Sequence, residues 1–281
     1  MLRYSRDMST AAQHEIAAGA RFAFGKNWRR FLALLSEERV QAAEDSLARM
    51  LETADLDGKS FVDAGCGSGL FSLAARRLGA RVHSFDFDPE SVACTRELRE
   101  RFFREDSRWT VEEGSVLDRQ YLAGLGRFDV VYSWGVLHHT GKMWEALDNV
   151  VALVAPGGKL FIAIYNDAGA TSERWRAIKR LYNRLPKGTR FLITIPALVQ
   201  AYWRRALKDL LQLKPFATWR NYSGLRGMSV WRDLVDWVGG YPYEVAKPEA
   251  MIRFYAERGF RLTQMVSGGQ LGCNEFVFVK A

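Results

Sequence analysis

Apolar positions in this chain follow two different rhythms, and the change from one to the other marks its organisation. Over the first 57 residues, Phe31, Leu32, Leu34, Leu35, Val40, Ala43, Leu47, Met50 and Leu51 return to one face at helical spacing. The stretch before them, RFAFGKNW (21–28), is aromatic and broken by Gly25. Residues 1–57 therefore read as an N-terminal helical cap packed over a main domain. From residue 60 short apolar runs alternate with amphipathic segments. Strands are expected at 60–65, 81–88, 109–115, 127–134 and 159–166, with helices at 69–79, 90–103 and 142–155. Pro89 suits the first turn of the second of these helices, and Pro156-Gly157-Gly158 stops the third. The alternation specifies an α/β fold, a doubly wound (Rossmann-like), mostly parallel sheet with helices on both faces.

Residues 167–240 break the alternation with a mostly helical segment in which Trp and Tyr are interleaved with Arg and Lys. A helix at 250–260 and strands at 260–266 and 274–280 follow. The GGQLGC connector (268–273) is short enough to pair those two strands as a hairpin, which makes the last strand antiparallel. The plan is thus a cap (1–57), a ligand-binding α/β core (58–166), a basic helical insertion (167–240) and a last helix and strands completing the core (241–281).

Composition adds limits. A chain of 281 residues, 48% hydrophobic, can bury a full core. The opening MLRYSRDMST lacks the apolar run of a secretory signal, and no stretch reaches the ~18 apolar residues of a membrane span. Cys66, Cys94 and Cys273 are odd in number and far apart. The expectation is a reduced, cytoplasmic protein, with no disulfide framework and no metal-ligand spacing. Between Thr171 and Arg232 there are fourteen Lys/Arg against Glu173 and Asp209, a local +12 that leaves −4 for the rest of the +8 chain. That asymmetry points either to an anionic partner or to solvated helix faces.

The sharpest chemical signal is VDAGCGSG (62–69), between a strand and a helix. Gly65, Gly67 and Gly69 allow a tight turn and close approach of a ligand to the helix N-terminus. A dinucleotide loop would have GxGxxG spacing; this one is GxGxG, and Asp63 would repel a pyrophosphate but suit a cationic ligand. Asp86 ends the second strand, 21 residues after Gly65, where a carboxylate takes ribose hydroxyls.

With HSFDFDP (83–89), EEGSVLD (112–118), FDVVYSWGVLHH (128–139) and LVAPGGKLFIAIYN (153–166) in this order, the chain resembles the class I S-adenosylmethionine-dependent methyltransferases, in the branch of quinol, sugar and natural-product O-methyltransferases. The likeness runs over about 58–167 and resumes at 241–281. It implies that Asp63, Gly65, Gly67 and Gly69 contact the methionine half of S-adenosylmethionine, that Asp86 takes the ribose, and that Phe87 packs on adenine. Ser115 and Val116 would edge the adenine, although relatives commonly carry Asp where Ser115 stands, and Trp134 would line the methionine end. The products implied are a methylated hydroxyl and S-adenosylhomocysteine, with no metal.

A hydroxyl nucleophile must lose its proton, and histidine is suited to accept it near neutral pH. Of four histidines, His138 and His139 fall after the fourth strand, at the carboxyl edge where open α/β sheets bind ligands. An HH pair there resembles that of sugar and antibiotic O-methyltransferases, which makes His139 the expected base and His138 the second choice. His83 reads as structural, and His14 reaches the site only if the cap folds over it. In those relatives an acid after the fifth strand assists; here that strand ends in Tyr165-Asn166-Asp167. Tyr165, Asn166, Tyr241, Tyr243 and Glu244 are the expected substrate contacts, the last three in GGYPYEVAKPEAM (239–251), where related enzymes cross the substrate pocket.

Within the insertion, the 13-residue apolar run Phe191–Trp203 is flanked by Arg190, Arg204 and Arg205, and Pro196 is expected to interrupt a single continuous helix. The run suits a small-molecule acceptor that is anionic or lipid-linked, or peripheral contact with the inner face of a membrane. It equally suits packing on the sheet or on another subunit. The rival functions are an RNA-modifying methyltransferase using the basic insertion, a dehydrogenase, and a non-catalytic S-adenosylmethionine-binding protein.

Overall fold

A computed structural model describes residues 14–22, 24–25, 28, 32–33, 35–212, 214 and 230–281. Phe31 and Leu34 of the expected N-terminal stripe lie outside them. Helix α1 (Glu37–Leu51) buries Val40, Ala43, Leu47, Met50 and Leu51, so its apolar face is the one its spacing specifies. Burial of such side chains stabilises by ~1.5–3 kcal/mol each. The alternating core follows as β1 (Ser60–Ala64), α2 (Leu70–Arg77), β2 (Arg81–Asp86), α3 (Pro89–Phe102), β3 (Trp109–Glu113), α4 (Arg119–Leu125), β4 (Phe128–Trp134), α5 (Met143–Val151) and β5 (Val154–Tyr165). Then come α6 (Ala170–Arg184), α7 (Phe191–Leu211), α8 (Val230–Gly239), α9 (Pro248–Ala256), β6 (Phe260–Val266) and β7 (Cys273–Lys280).

Seven strands form one sheet in the order β3-β2-β1-β4-β5-β7-β6. The pairs among β1 to β5 are parallel, whereas β7 runs antiparallel to both β5 and β6. This is the doubly wound sheet with an antiparallel last strand. Order reverses at β1 and β4, whose carboxyl ends border the crevice in which such sheets hold ligands. One apolar layer, including Phe61, Leu73, Val130, Tyr132 and Phe161, lies between the sheet and α1–α3. The other, including Val131, Leu147, Ile162, Tyr255 and Phe278, lies beneath α4, α5 and α9.

Three local features depart from the sequence reading. Helix α4 was not evident because RQYLAGL is short, contains Gly124 and buries only Leu122; Asp118 starts it by accepting from the backbone N–H groups of Gln120 and Tyr121 at 3.0 Å. Pro156-Gly157-Gly158 does not end a helix but sits inside β5, where the pairing with β4 slips between Phe128 and Val130. Pro196 does not interrupt α7. At the sixth position it removes only the bond to the Leu192 carbonyl, close to an end where several donors lack helical partners anyway.

Candidate active site

The glycine turn joins β1 to α2 with all three glycines at positive φ: Gly65 at 88°, Gly67 at 54° and Gly69 at 79°. Space as well as backbone conformation requires glycine here. A Cβ on Gly65 would strike the Val136 side chain, and one on Gly69 would come within 2.8 Å of Thr95 Oγ1. One on Gly67 would lie 3.2 Å from the indole of Trp28, so the N-terminal segment already covers this loop.

Two carboxylates flank the turn. Asp86 ends β2 and accepts from the Gly67 backbone N–H at 3.0 Å through Oδ2 and from Asp88 N–H at 2.8 Å through Oδ1. Each oxygen retains an acceptor position, which is what a pair of vicinal hydroxyls requires. Burial pushes its pKa up to about 6, against the two backbone bonds that lower it. Asp63 is buried behind the turn at the end of a hydrogen-bond chain. Trp109 Nε1 donates to Ser84 Oγ (2.9 Å), Ser84 to Ser72 (2.8 Å), and Ser72 to Asp63 Oδ2 (2.5 Å). The indole N–H can only donate, and with each hydroxyl passing its proton onward the chain ends on the Asp63 carboxylate as acceptor. Burial raises Asp63 to about 7; the Ser72 bond opposes the rise and the nearby Asp86 adds to it.

Other residues around the turn have defined places. Phe87 is partly exposed, with the Arg21 guanidinium 4.9 Å from its ring centroid. Ser115 accepts from Leu117 N–H at 3.2 Å, and Val116 is buried in the layer under α4 and α5. Trp134 ends β4 two residues beyond Tyr132, the register partner of Asp63, hence on the same face of the sheet. Its Nε1 donates to Glu275 Oε1 at 3.1 Å.

The two histidines lie in a 3₁₀ turn, Leu137–His139, and both are buried. Segments distant in sequence close around them. His139 Nδ1 is 2.5 Å from the Pro242 carbonyl, and Glu244 N–H donates to the His138 carbonyl at 3.0 Å. Arg21 donates to the His139 carbonyl at 3.2 Å, and Phe22 N–H to the Tyr241 carbonyl at 2.9 Å. Tyr165, at the end of β5, places its ring centroid 4.2 Å from His138, 5.6 Å from His139 and 5.1 Å from Tyr243. His138, His139, Tyr165 and Tyr243 thus form one aromatic cluster, with Phe24 5.0 Å from His139 on the cap side.

Not every expected contact joins that cluster. Asn166 turns to the β6–β7 connector, donating to Gln270 O and accepting from Asn274 Nδ2. Tyr241 accepts from Arg180 Nε through its hydroxyl. Glu244 takes the Met143 N–H at 3.0 and 3.2 Å on its two oxygens, closing the N-terminus of α5. His83 Nε2 lies 3.2 Å from the Glu112 carboxylate on the neighbouring strand, and His14 is exposed.

Sequence reading missed Lys179. It is fully buried on α6, with Nζ 4.6 Å from the Trp237 ring centroid, 4.8 Å from Tyr243 and 6.0 Å from Tyr165. It donates to the Trp237 carbonyl near the end of α8, and Asn183 donates to Gly239 O in the same turn, so α6 caps α8. No described carboxylate is paired with it, and burial pushes its pKa down to about 7. A lysine in a basic helix carries no local sign of such a place. Both histidines are depressed as well, foremost by burial. His138 falls well below its usual range, and His139 falls to about 3, against the Pro242 bond that raises it and with the charges of Lys179 and Arg21 adding to the fall.

Comparison with known proteins matches this architecture. A family model described as a methyltransferase domain covers residues 35–234. A ubiquinone biosynthesis O-methyltransferase of Xanthomonas euvesicatoria is 30% identical over 178 residues, spanning 61% of this chain and 72% of that one. A ribosomal protein L11 methyltransferase of Methylococcus capsulatus is 32% identical over 138 residues, 48% of this chain and 41% of that one. Magnesium protoporphyrin IX methyltransferase from Synechocystis, solved with bound S-adenosylhomocysteine, superposes with a TM-score of 0.52 at 15% identity, covering 86% of this chain and 83% of that one. The chain therefore belongs to the methyltransferase domain family as a class I S-adenosylmethionine-dependent enzyme.

Proposed function

We propose that the enzyme methylates a hydroxyl group on a small molecule, with His139 accepting the hydroxyl proton. The observation that carries this reading is the bond between His139 Nδ1 and the Pro242 carbonyl. A carbonyl can only accept, so the proton sits on Nδ1 and the Nε2 lone pair is left unprotonated. Asp63 and the glycine turn would hold the methionine half of the cofactor, and Asp86 its ribose. When bound, S-adenosylmethionine supplies an electrophilic methyl group on a sulfonium; the protein's share is to align the acceptor oxygen and take its proton. Burial keeps His139 neutral throughout the physiological range. Its low basicity means that proton transfer comes late, once methyl transfer has made the acceptor oxygen strongly acidic. The aromatic surroundings of His139, with the Tyr165 ring 5.6 Å away, favour a flat, apolar acceptor such as a phenol, and the similarity to a ubiquinone biosynthesis O-methyltransferase points the same way.

The test is methyl transfer from a labelled donor to matched phenols, anilines and thiols. The phenols should be turned over, with label recovered as the methyl ether; label found only on nitrogen or sulfur overturns the reading.

Lys179 gives this proposal a pH signature. Its pKa near 7 lies below the ordinary lysine value, so it is cationic below about pH 7 and neutral above. In the cationic form it suppresses the basicity of His139. With both substrates saturating, kcat should rise through a one-proton limb near pH 7, while His139, already neutral, contributes no limb there. Lys179→Met should flatten the profile; an unchanged limb in that variant would place the titration elsewhere.

A further inference from the structure

We infer that the outward face of α7 is a docking surface for an anionic lipid bilayer. Helix α7 has 21 residues and therefore spans ~31 Å. Its inward face is buried at Thr194 and Ala197. On the opposite face Leu192, Ile195, Val199, Trp203, Leu207 and Leu210 recur at steps of three or four residues, each between 48% and 63% exposed. These steps place all six on one stripe along the helix. An amphipathic helix of a globular protein turns such a stripe inward; this one presents it to solvent along its whole length.

Charge identifies the occupant. From Arg184 to Lys214 there are seven Lys/Arg against the single acid Asp209, a net +6, and Asp209 is buried. A second copy of the chain docking through this face would bring together two segments of the same sign. An anionic leaflet supplies the missing charge to this basic segment and a hydrocarbon boundary to the stripe. Trp203, midway along, has the amphipathic ring that suits the headgroup level. No helix among the described residues is long and apolar enough to cross a membrane, so the helix lies on the surface. The inward side of α7 packs in the same apolar cluster as Tyr165 and Tyr243. Docking would therefore hold the aromatic site one helix away from the bilayer, from which an acceptor dissolved in lipid could be drawn. That last step rests on the acceptor reading above, whereas docking itself does not.

The experiment is co-sedimentation of the full chain with vesicles of phosphatidylcholine alone or mixed in equal parts with phosphatidylglycerol. Anionic vesicles should bind at least about tenfold more tightly, and added salt should weaken them. The double variant Val199→Glu/Leu207→Glu should lose at least about tenfold of that binding. Its affinity for S-adenosylhomocysteine and its circular dichroism should be unchanged, which separates loss of docking from loss of fold. Three results would overturn the inference: no binding to anionic vesicles, equal binding by the variant, or a wild-type dimer in light scattering that the variant abolishes. None of these measurements uses an acceptor, so failure of the hydroxyl reading leaves them interpretable.

Discussion

Replacing His139 with alanine should lower turnover of a hydroxyl acceptor by ~10²–10⁴ and leave cofactor affinity nearly intact, the range expected for loss of a general base. Affinity should be spared because the proposed cofactor contacts, Asp63, Asp86 and the glycine turn, lie on other elements. The alanine variant also loses the bond to Pro242 and leaves a hole beside Phe24 and Tyr165, so reduced stability alone could slow it. His139→Asn separates the two causes. Its amide can still donate to the Pro242 carbonyl but has no basic nitrogen to take a proton. Turnover should fall as far as in the alanine variant while thermal stability recovers most of the loss. His138 differs: its ring is fully buried, and among the described residues neither nitrogen meets a hydrogen-bond partner of good geometry, the Ala163 backbone being the nearest candidate. His138→Ala should act mainly through stability. Full turnover in both single alanine variants would remove histidine from the mechanism.

How far the sequence discloses this site depends on the distance over which each contact acts. The strand–turn–helix at 60–77 was legible because its glycines, its apolar run and its helical face lie within one local unit. Asp86 was legible for a related reason: parallel pairing of β1 with β2 brings the end of the second strand beside the turn, and strand length fixes the spacing. The antiparallel hairpin of β6 and β7 was announced by its short connector. Contacts made by long side chains across the fold were not legible. Arg21 reaches the carbonyl of a residue 118 positions away, and Lys179 spans 58 positions to the end of α8. Nothing in the local pattern distinguishes either from a solvated basic residue. Glu244 shows the converse. As the only acid among the three candidates of its segment it read as a substrate contact, and the structure turns both its oxygens to the first amide of α5. That amide is one of the donors a helix N-terminus leaves without a partner, and a nearby carboxylate satisfies it.

Asp86→Ala should cost ~2–3 kcal/mol in S-adenosylhomocysteine binding, because in the proposed ribose role charge-assisted bonds to two hydroxyls would disappear together. That corresponds to a roughly 30- to 150-fold weaker Kd by calorimetry. Part of the loss comes from the loop itself, since the same carboxylate accepts from Gly67 N–H and pins the turn. Asp86→Asn addresses this: its carbonyl oxygen can keep one backbone bond, but it has no charge and a single acceptor atom, so an intermediate loss is expected. The pH dependence provides an independent check. With burial holding Asp86 near pKa 6 in the free protein, the carboxyl is protonated below that pH and a poorer acceptor for hydroxyls. Ligand bonds favour the ionised form, so affinity should rise as pH passes upward through about 6 and then level off, with one proton released per ligand bound on the acid side. Asp63, near 7, can add a second and higher step, because both the sulfonium cofactor and its product carry the amino acid ammonium. In Asp86→Asn the step near 6 should vanish and any step near 7 should persist. Unchanged affinity in Asp86→Ala, or a step near 6 that survives the asparagine, would mean that the ribose is held by some other group.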